Sequence, residues 1–178
     1  IGLGDGPSVN DAGNVALVGQ YDGGTEGIIY YDAATRTIRN ITPTYTDPDH
    51  PYVFGRAVEI NNNDLIAAVD RTSRSGGGTE WLLRTWDASS TDAFTTMLTA
   101  GAPRFPGAAY DSFTSYVSLN DSGEIAYPGY TAPPLFPTPP PVATWDLGYL
   151  STPLSKGNTL ATVNTPQSLR PMTANNHS

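Results

Sequence analysis

Apolar residues along this chain come in short bursts separated by clusters of Gly, Pro, Asn, Asp and Thr. Val15-Ala16-Leu17-Val18, Ile28-Ile29-Tyr30-Tyr31, Leu65-Ile66-Ala67-Ala68-Val69 and Trp81-Leu82-Leu83 are typical. No window keeps apolar residues at helical spacing without Gly or Pro intruding, so the bursts predict strands and the clusters predict turns. The predicted strands are 7–10, 15–20, 27–31 and 37–41, then 57–60, 65–70, 80–86 and 93–98, then 116–119, 124–128, 142–146 and 159–163. Several are apolar at consecutive positions, which is the pattern of a sheet covered on both faces.

A phrase recurs at the head of each group. Ser8-Val9-Asn10-Asp11-Ala12-Gly13-Asn14-Val15-Ala16 returns as Glu59-Ile60-Asn61-Asn62-Asn63-Asp64-Leu65-Ile66-Ala67 and as Ser118-Leu119-Asn120-Asp121-Ser122-Gly123-Glu124-Ile125-Ala126. A fourth copy begins at Thr173-Ala174-Asn175-Asn176. Its asparagines lie 51, 59 and 55 residues apart. A second landmark, Tyr31-Asp32, Trp86-Asp87 and Trp145-Asp146, keeps step, with its aspartates 22, 26 and 26 residues after the repeat asparagine. Four short antiparallel strands repeated at this period predict an all-β fold of β-propeller blades. The units are 7–43, 57–99 and 116–165, with a partial fourth at 170–178. Typical propellers have about 4–8 blades, so the chain is expected to be one repeat domain or fragment within a larger ring or assembly. More of the same polypeptide, or further copies of it, would supply the missing blades.

The phrase Asn-x-x-Gly-x-x-Ala, complete at Asn10/Gly13/Ala16 and Asn120/Gly123/Ala126, resembles that of bacterial secreted or surface-anchored proteins with tandem Asn-x-x-Gly-x-x-Ala repeats. The aromatic-Asp landmark is similar in kind to that of WD-repeat propellers. The resemblance implies a β-propeller-like, extracellular or cell-surface protein. The second unit departs from it, with Asp64 in place of Gly. Asp tolerates left-handed backbone better than most residues, so the turn is expected to survive. Each repeated Asn is expected to tie its own turn, and each landmark Asp to open the next.

Composition narrows the partners. The net charge is −8, with Lys156 the single lysine. No basic stripe suits a phosphate backbone, so no nucleic-acid partner is expected. No apolar run reaches the length of a transmembrane helix. With no cysteine, disulfides and thiolate chemistry are excluded. The two histidines, His50 and His177, fall in different units, and no nucleophile elbow, zinc helix or phosphate loop is present. Asp47, Asp49 and His50 are the densest ligand cluster; Ca²⁺ there is an alternative to a turn pinned by Pro48 and Pro51. Asn40, Asn120 and Asn176 head sequons in form.

Function is therefore expected on loops. The turns between first and second strands are short and uniform, as in a scaffold. The opposite rim varies, and a rigid scaffold carries its binding residues on such loops. The candidates are Asp47, Asp49, His50, Tyr52, Arg71, Arg74, Arg104, Phe105, Tyr110 and Asp111. They predict a non-catalytic binding or structural module recognising a protein or glycan. The alternatives are a secreted metal-assisted lyase or hydrolase and a subunit of a coat or filament.

Overall fold

The computed structural model describes residues 6–20, 26–41, 53–73, 77–89, 94–102, 110–114, 116–131, 144–151 and 158–163. Every regular element among them is a strand. The first sheet is β1 (Ser8–Val9), β2 (Val15–Gln20), β3 (Glu26–Asp32) and β4 (Thr37–Asn40). The second is β5 (Val53–Ile60), β6 (Leu65–Ser73), β7 (Thr79–Asp87) and β8 (Phe94–Ala102). The third comprises β9 (Ser112–Phe113), β10 (Ser118–Leu119), β11 (Ile125–Thr131), β12 (Thr144–Leu150) and β13 (Asn158–Val163). Each is an antiparallel meander in chain order, with β9 and β10 both on β11. One repeat unit is thus one four-stranded sheet, its first strand split in two in the third unit.

The first strands of the later units start earlier than expected. Val53 and Phe54 pair with Arg71 and Asp70 before the register shifts to Val58↔Ala68. Ser112 and Phe113 pair with Tyr130 and Gly129 before Ser118↔Ala126. Phe54 and Phe113 stand at the same offset from Asn61 and Asn120, so β5 and the β9–β10 pair are one strand with the same irregularity. Bulges of this kind interrupt the apolar pattern and hide the upstream half of a strand.

The second landmark holds in two units and slips in the third. Tyr31 and Trp86 face the fifth residue after their repeat asparagine, Val15 and Ile66. The corresponding partner of Ile125 is Leu150, whereas Trp145 pairs with Tyr130. The β11–β12 connection, residues 132–143, is longer than 21–25 and 74–78, and this displaces Trp145-Asp146 along the hairpin. Asp32 and Asp87 do open the next turns: Asp32 Oδ1 accepts from the amides of Ala34 and Thr35, and Asp87 Oδ1 from that of Ser89.

The strand β6 buries alternate residues against different neighbours. In β6, Ile66 and Ala68 pack with Ala16, Val18, Ile28, Tyr30 and Trp86 between the first and second sheets. Ala67 and Val69 pack with Leu83, Leu98, Leu119, Ile125 and Tyr127 between the second and third. The middle sheet is covered on both faces, as its apolar runs require. Fully burying each large side chain contributes about 1.5–3 kcal/mol. Within the second core, Tyr110, Phe113 and Tyr127 meet edge to face at 5.7–5.9 Å. A Cβ on Gly129 would lie 2.6 Å from the Tyr110 ring, so glycine is needed there.

The repeated turns are built alike. Asn10, Asn61 and Asn120 each accept through Oδ1 from the amide four residues on, Asn14, Leu65 and Glu124. Gly13, Asp64 and Gly123 take positive φ at the same place, 82°, 59° and 78°. These turns also bond to one another. Asn10 Nδ2 donates to the Asn61 carbonyl at 3.1 Å, and Asn61 Nδ2 to the Asn120 carbonyl at 2.9 Å. The Asp11 amide donates to Asn62 Oδ1, and the Asn62 amide to Asp121 Oδ1, both at 2.9 Å. A ladder of side-chain amides therefore runs across one end of the three sheets. Asp64, the departure from the motif, has a part in it: Oδ1 accepts from Asn10 Nδ2 and Asn14 Nδ2 at 2.8 Å each. Two such bonds to a carboxylate outweigh the roughly 1–2 kcal/mol cost of left-handed backbone.

Candidate functional site

β2, β6 and β11 all run away from the ladder, so their C-terminal ends share the opposite end of the sheets. Arg71 lies there, in β6 rather than in a loop as expected. Its side chain is exposed and its guanidinium sits 5.7 Å from the centroid of the half-buried Trp81 ring on β7. Trp81 faces Arg71 directly across the ladder of hydrogen bonds between β6 and β7. Asp111 is at the same end, its amide donating to the Tyr130 carbonyl at 2.8 Å. Tyr110 is a correction. It is 0 % exposed, in the aromatic cluster beneath this end, so its ring supports the core and is not presented on a rim. Its backbone bridges Ala100 in parallel, which carries the chain from β8 toward β9. The remaining candidates, Asp47, Asp49, His50, Tyr52, Arg74, Arg104 and Phe105, lie outside the described residues.

A second feature lies where the first strands converge. A cavity of about 420 Å³ is lined by Gly6, Pro7, Ser8, Val9, Ala57, Val58, Glu59 and Tyr116. Ser8 Oγ donates to Glu59 Oε2 at 3.2 Å and accepts from the Ile60 amide at 3.1 Å. Burial pushes the Glu59 carboxyl above its ordinary range, partly offset by the Ser8 bond. The site can hold a proton or accept a hydrogen bond from a small polar ligand.

A third feature was hidden inside a strand. Asp70 and Arg84 form an ion pair of 2.9 Å between the first and second sheets, with side chains 0 % and 6 % exposed. Asp70 occupies the position that is Gly19 in the first unit and Gly129 in the third. Burial raises its carboxyl to about 7, against the pull of Arg84 and helped by the charge of Glu80. Its Oδ1 has no hydrogen-bond partner among the described residues. The Arg84 guanidinium also stands 4.2 Å from the centroid of the Phe94 ring. A single acid closing the apolar run of β6, with an arginine in the run of β7, was the available signal.

Among the described residues no group of three His, Cys, Asp or Glu side chains could hold a metal ion. No helix there is long and apolar enough to cross a membrane. The chain matches no protein-family model, no curated protein and no solved structure.

Proposed function

We propose that the protein is a propeller-type extracellular or cell-surface binding module, non-catalytic, which takes a protein or glycan at the end opposite the asparagine ladder. The observation that carries this reading is the exposed Arg71 held over Trp81. Arginine and tryptophan are the usual anchors of recognition surfaces, and a guanidinium already stacked on a ring loses little freedom on binding. A planar cation on an aromatic face suits carboxylates of an acidic glycan or of a protein. In this reading the sheets are blades, and the first-strand cavity lies toward the axis of the ring.

Arg71→Ala and Arg71→Glu on a glycan array test it. The wild type should give a signal on acidic glycans that both variants lose, with melting temperatures unchanged. Equal signals from the three proteins would end this reading.

A second reading, a structural subunit of a coat or filament, is favoured by the outer face of the first sheet. Val9, Val15, Tyr31 and Ile38 form one row across its four strands, with Val9 64 % and Ile38 73 % exposed. An apolar row of this kind suits contact with another sheet.

A further inference from the structure

The residue two places before each repeat asparagine is Ser8 in the first unit, Glu59 in the second and Ser118 in the third. Two units build this strand with a serine, so the repeat itself does not call for an acid. Glu59 stands half-buried in the wall of the first-strand cavity of about 420 Å³. Its Oε2 accepts from Ser8 Oγ at 3.2 Å, and that Oγ accepts from the Ile60 amide at 3.1 Å. The Ser8 hydroxyl is thereby committed, and it fixes the direction of the carboxylate. Among the described residues, Ser8 is the only hydrogen-bond partner of this carboxylate. The influences on its carboxyl are burial and the Ser8 bond, with no charged side chain of the described residues among them. A carboxylate drawn out of water is costly until a positive charge or further donors meet it.

We infer that the first-strand cavity binds a small organic cation, an alkylammonium whose N–H groups meet Glu59 and whose carbon body lies on the apolar wall. The lining suits both parts of such a ligand. Pro7, Val9, Ala57 and Val58 supply apolar surface, and Tyr116 adds an aromatic residue, the type that attracts cations. The volume falls within the range of small-molecule sites, about 300–1,000 Å³. Ser8 gives its proton to Oε2, so Oε1 receives the ammonium. A charge-assisted bond of this kind is roughly twice as strong as a neutral one. The net charge of −8 also raises the local concentration of cations.

Other ligands fit less well. An anion would set like charge against Glu59, and a neutral alcohol brings a donor without the charge. A purely structural role, in which Glu59 only anchors Ser8, is the competing reading. Glu59→Gln separates the two, because the new amide oxygen still accepts from Ser8 while the charge is gone. Arg71 takes no part in this site, so either site can fail without the other.

The test titrates the full 178-residue chain with n-butylammonium chloride at constant ionic strength, followed by amide chemical shifts. Saturable shifts are expected at Ser8, Glu59 and Tyr116, with an affinity at least tenfold above that for 1-butanol. Glu59→Gln should weaken n-butylammonium binding at least tenfold. Glu59 and Tyr116 are the titratable side chains of the lining, and Glu59 is its only carboxyl. The ammonium keeps its proton below about pH 10, so affinity should rise with pH as Glu59 ionises, above the ordinary carboxylate range. Glu59→Gln should show no such rise. Absence of saturable shifts in the wild type overturns the inference, and so does equal binding of 1-butanol, a comparison that needs no variant. Equal binding by Glu59→Gln overturns it too, since Glu59 then only anchors Ser8.

Discussion

The two ends of the sheets solve different problems with the same strands. At one end, three turns of nearly one sequence are fastened by side-chain amides that reach from unit to unit. At the other, strands of different length run out to connections of different length, and the described side chains are individual: an exposed Arg71 over Trp81 and a buried Asp70 paired with Arg84. A uniform end sets the spacing of the sheets, because every rung must match the next. The varied end is free of that demand, so its residues can differ without unfastening the stack.

The largest effect should come from cutting the ladder at its centre. Asn61 is 1 % exposed and bonds to the Asn120 carbonyl and to the amides of Asn63 and Leu65. Asn61→Ala leaves those part-buried groups without it and empties a buried site, and should cost about 3 kcal/mol in urea unfolding. A cost below about 0.5 kcal/mol would mean the ladder does not fasten the sheets.

Gly129→Ala sharpens the comparison from the other side. Although it lies toward the varied end, a Cβ there meets the Tyr110 ring at 2.6 Å. Overpacking against a buried ring should cost about 1–3 kcal/mol, so the freedom of that end belongs to its surface and not to its core. The same unfolding experiment decides.

Acidity should separate the ends more gently. The Asp70 carboxyl, raised by burial to about 7, is pulled above the unfolded value of about 3.9. The folded chain then binds a proton that the unfolded chain has released, so this stabilisation is complete below about pH 4 and is lost as pH rises toward 7. Glu59, also raised by burial, adds in the same direction. Asp32 opposes them: its turn bonds hold its carboxyl below the ordinary range, and it loses its contribution as pH falls through that lowered value. The melting temperature should therefore be higher at pH 5 than at pH 8, and Asp70→Asn should flatten the difference while lowering both values. An unchanged slope in Asp70→Asn would show that other groups set it.

The smallest effect belongs to Arg71→Ala. Its side chain is exposed, so the melting temperature should move by no more than about 0.5 kcal/mol of stability allows. A large fall would make Arg71 part of the scaffold and remove the contrast between the ends.

Much of this was readable beforehand. The strand β2 has the predicted bounds, and all twelve predicted strands are present, because short apolar runs between Gly, Asn and Asp clusters carry their own punctuation. The positive φ at Asp64 followed from its place in the motif. The upstream halves of β5 and the third unit's first strand were missed because irregular register breaks alternation. Trp145 was misaligned because spacing along the chain does not reveal how much of it a hairpin connection takes up. Tyr110 was placed on a surface because an aromatic residue between Gly, Ala and Asp reads as loop until its neighbours are known.

The chain by itself determined local things: where strands start and stop, which turns need left-handed backbone, and that the units repeat. These rest on backbone sterics and on side chains bonding to their own turn, within a few residues. Tertiary structure alone decided which asparagine amide meets which carbonyl some 50 residues away, that Asp70 is buried against Arg84, and that Trp81 supports Arg71. Those contacts depend on which faces of the sheets come together. One residue of register exchanges the faces of a strand, and that choice is made by the packed core and not by any one segment.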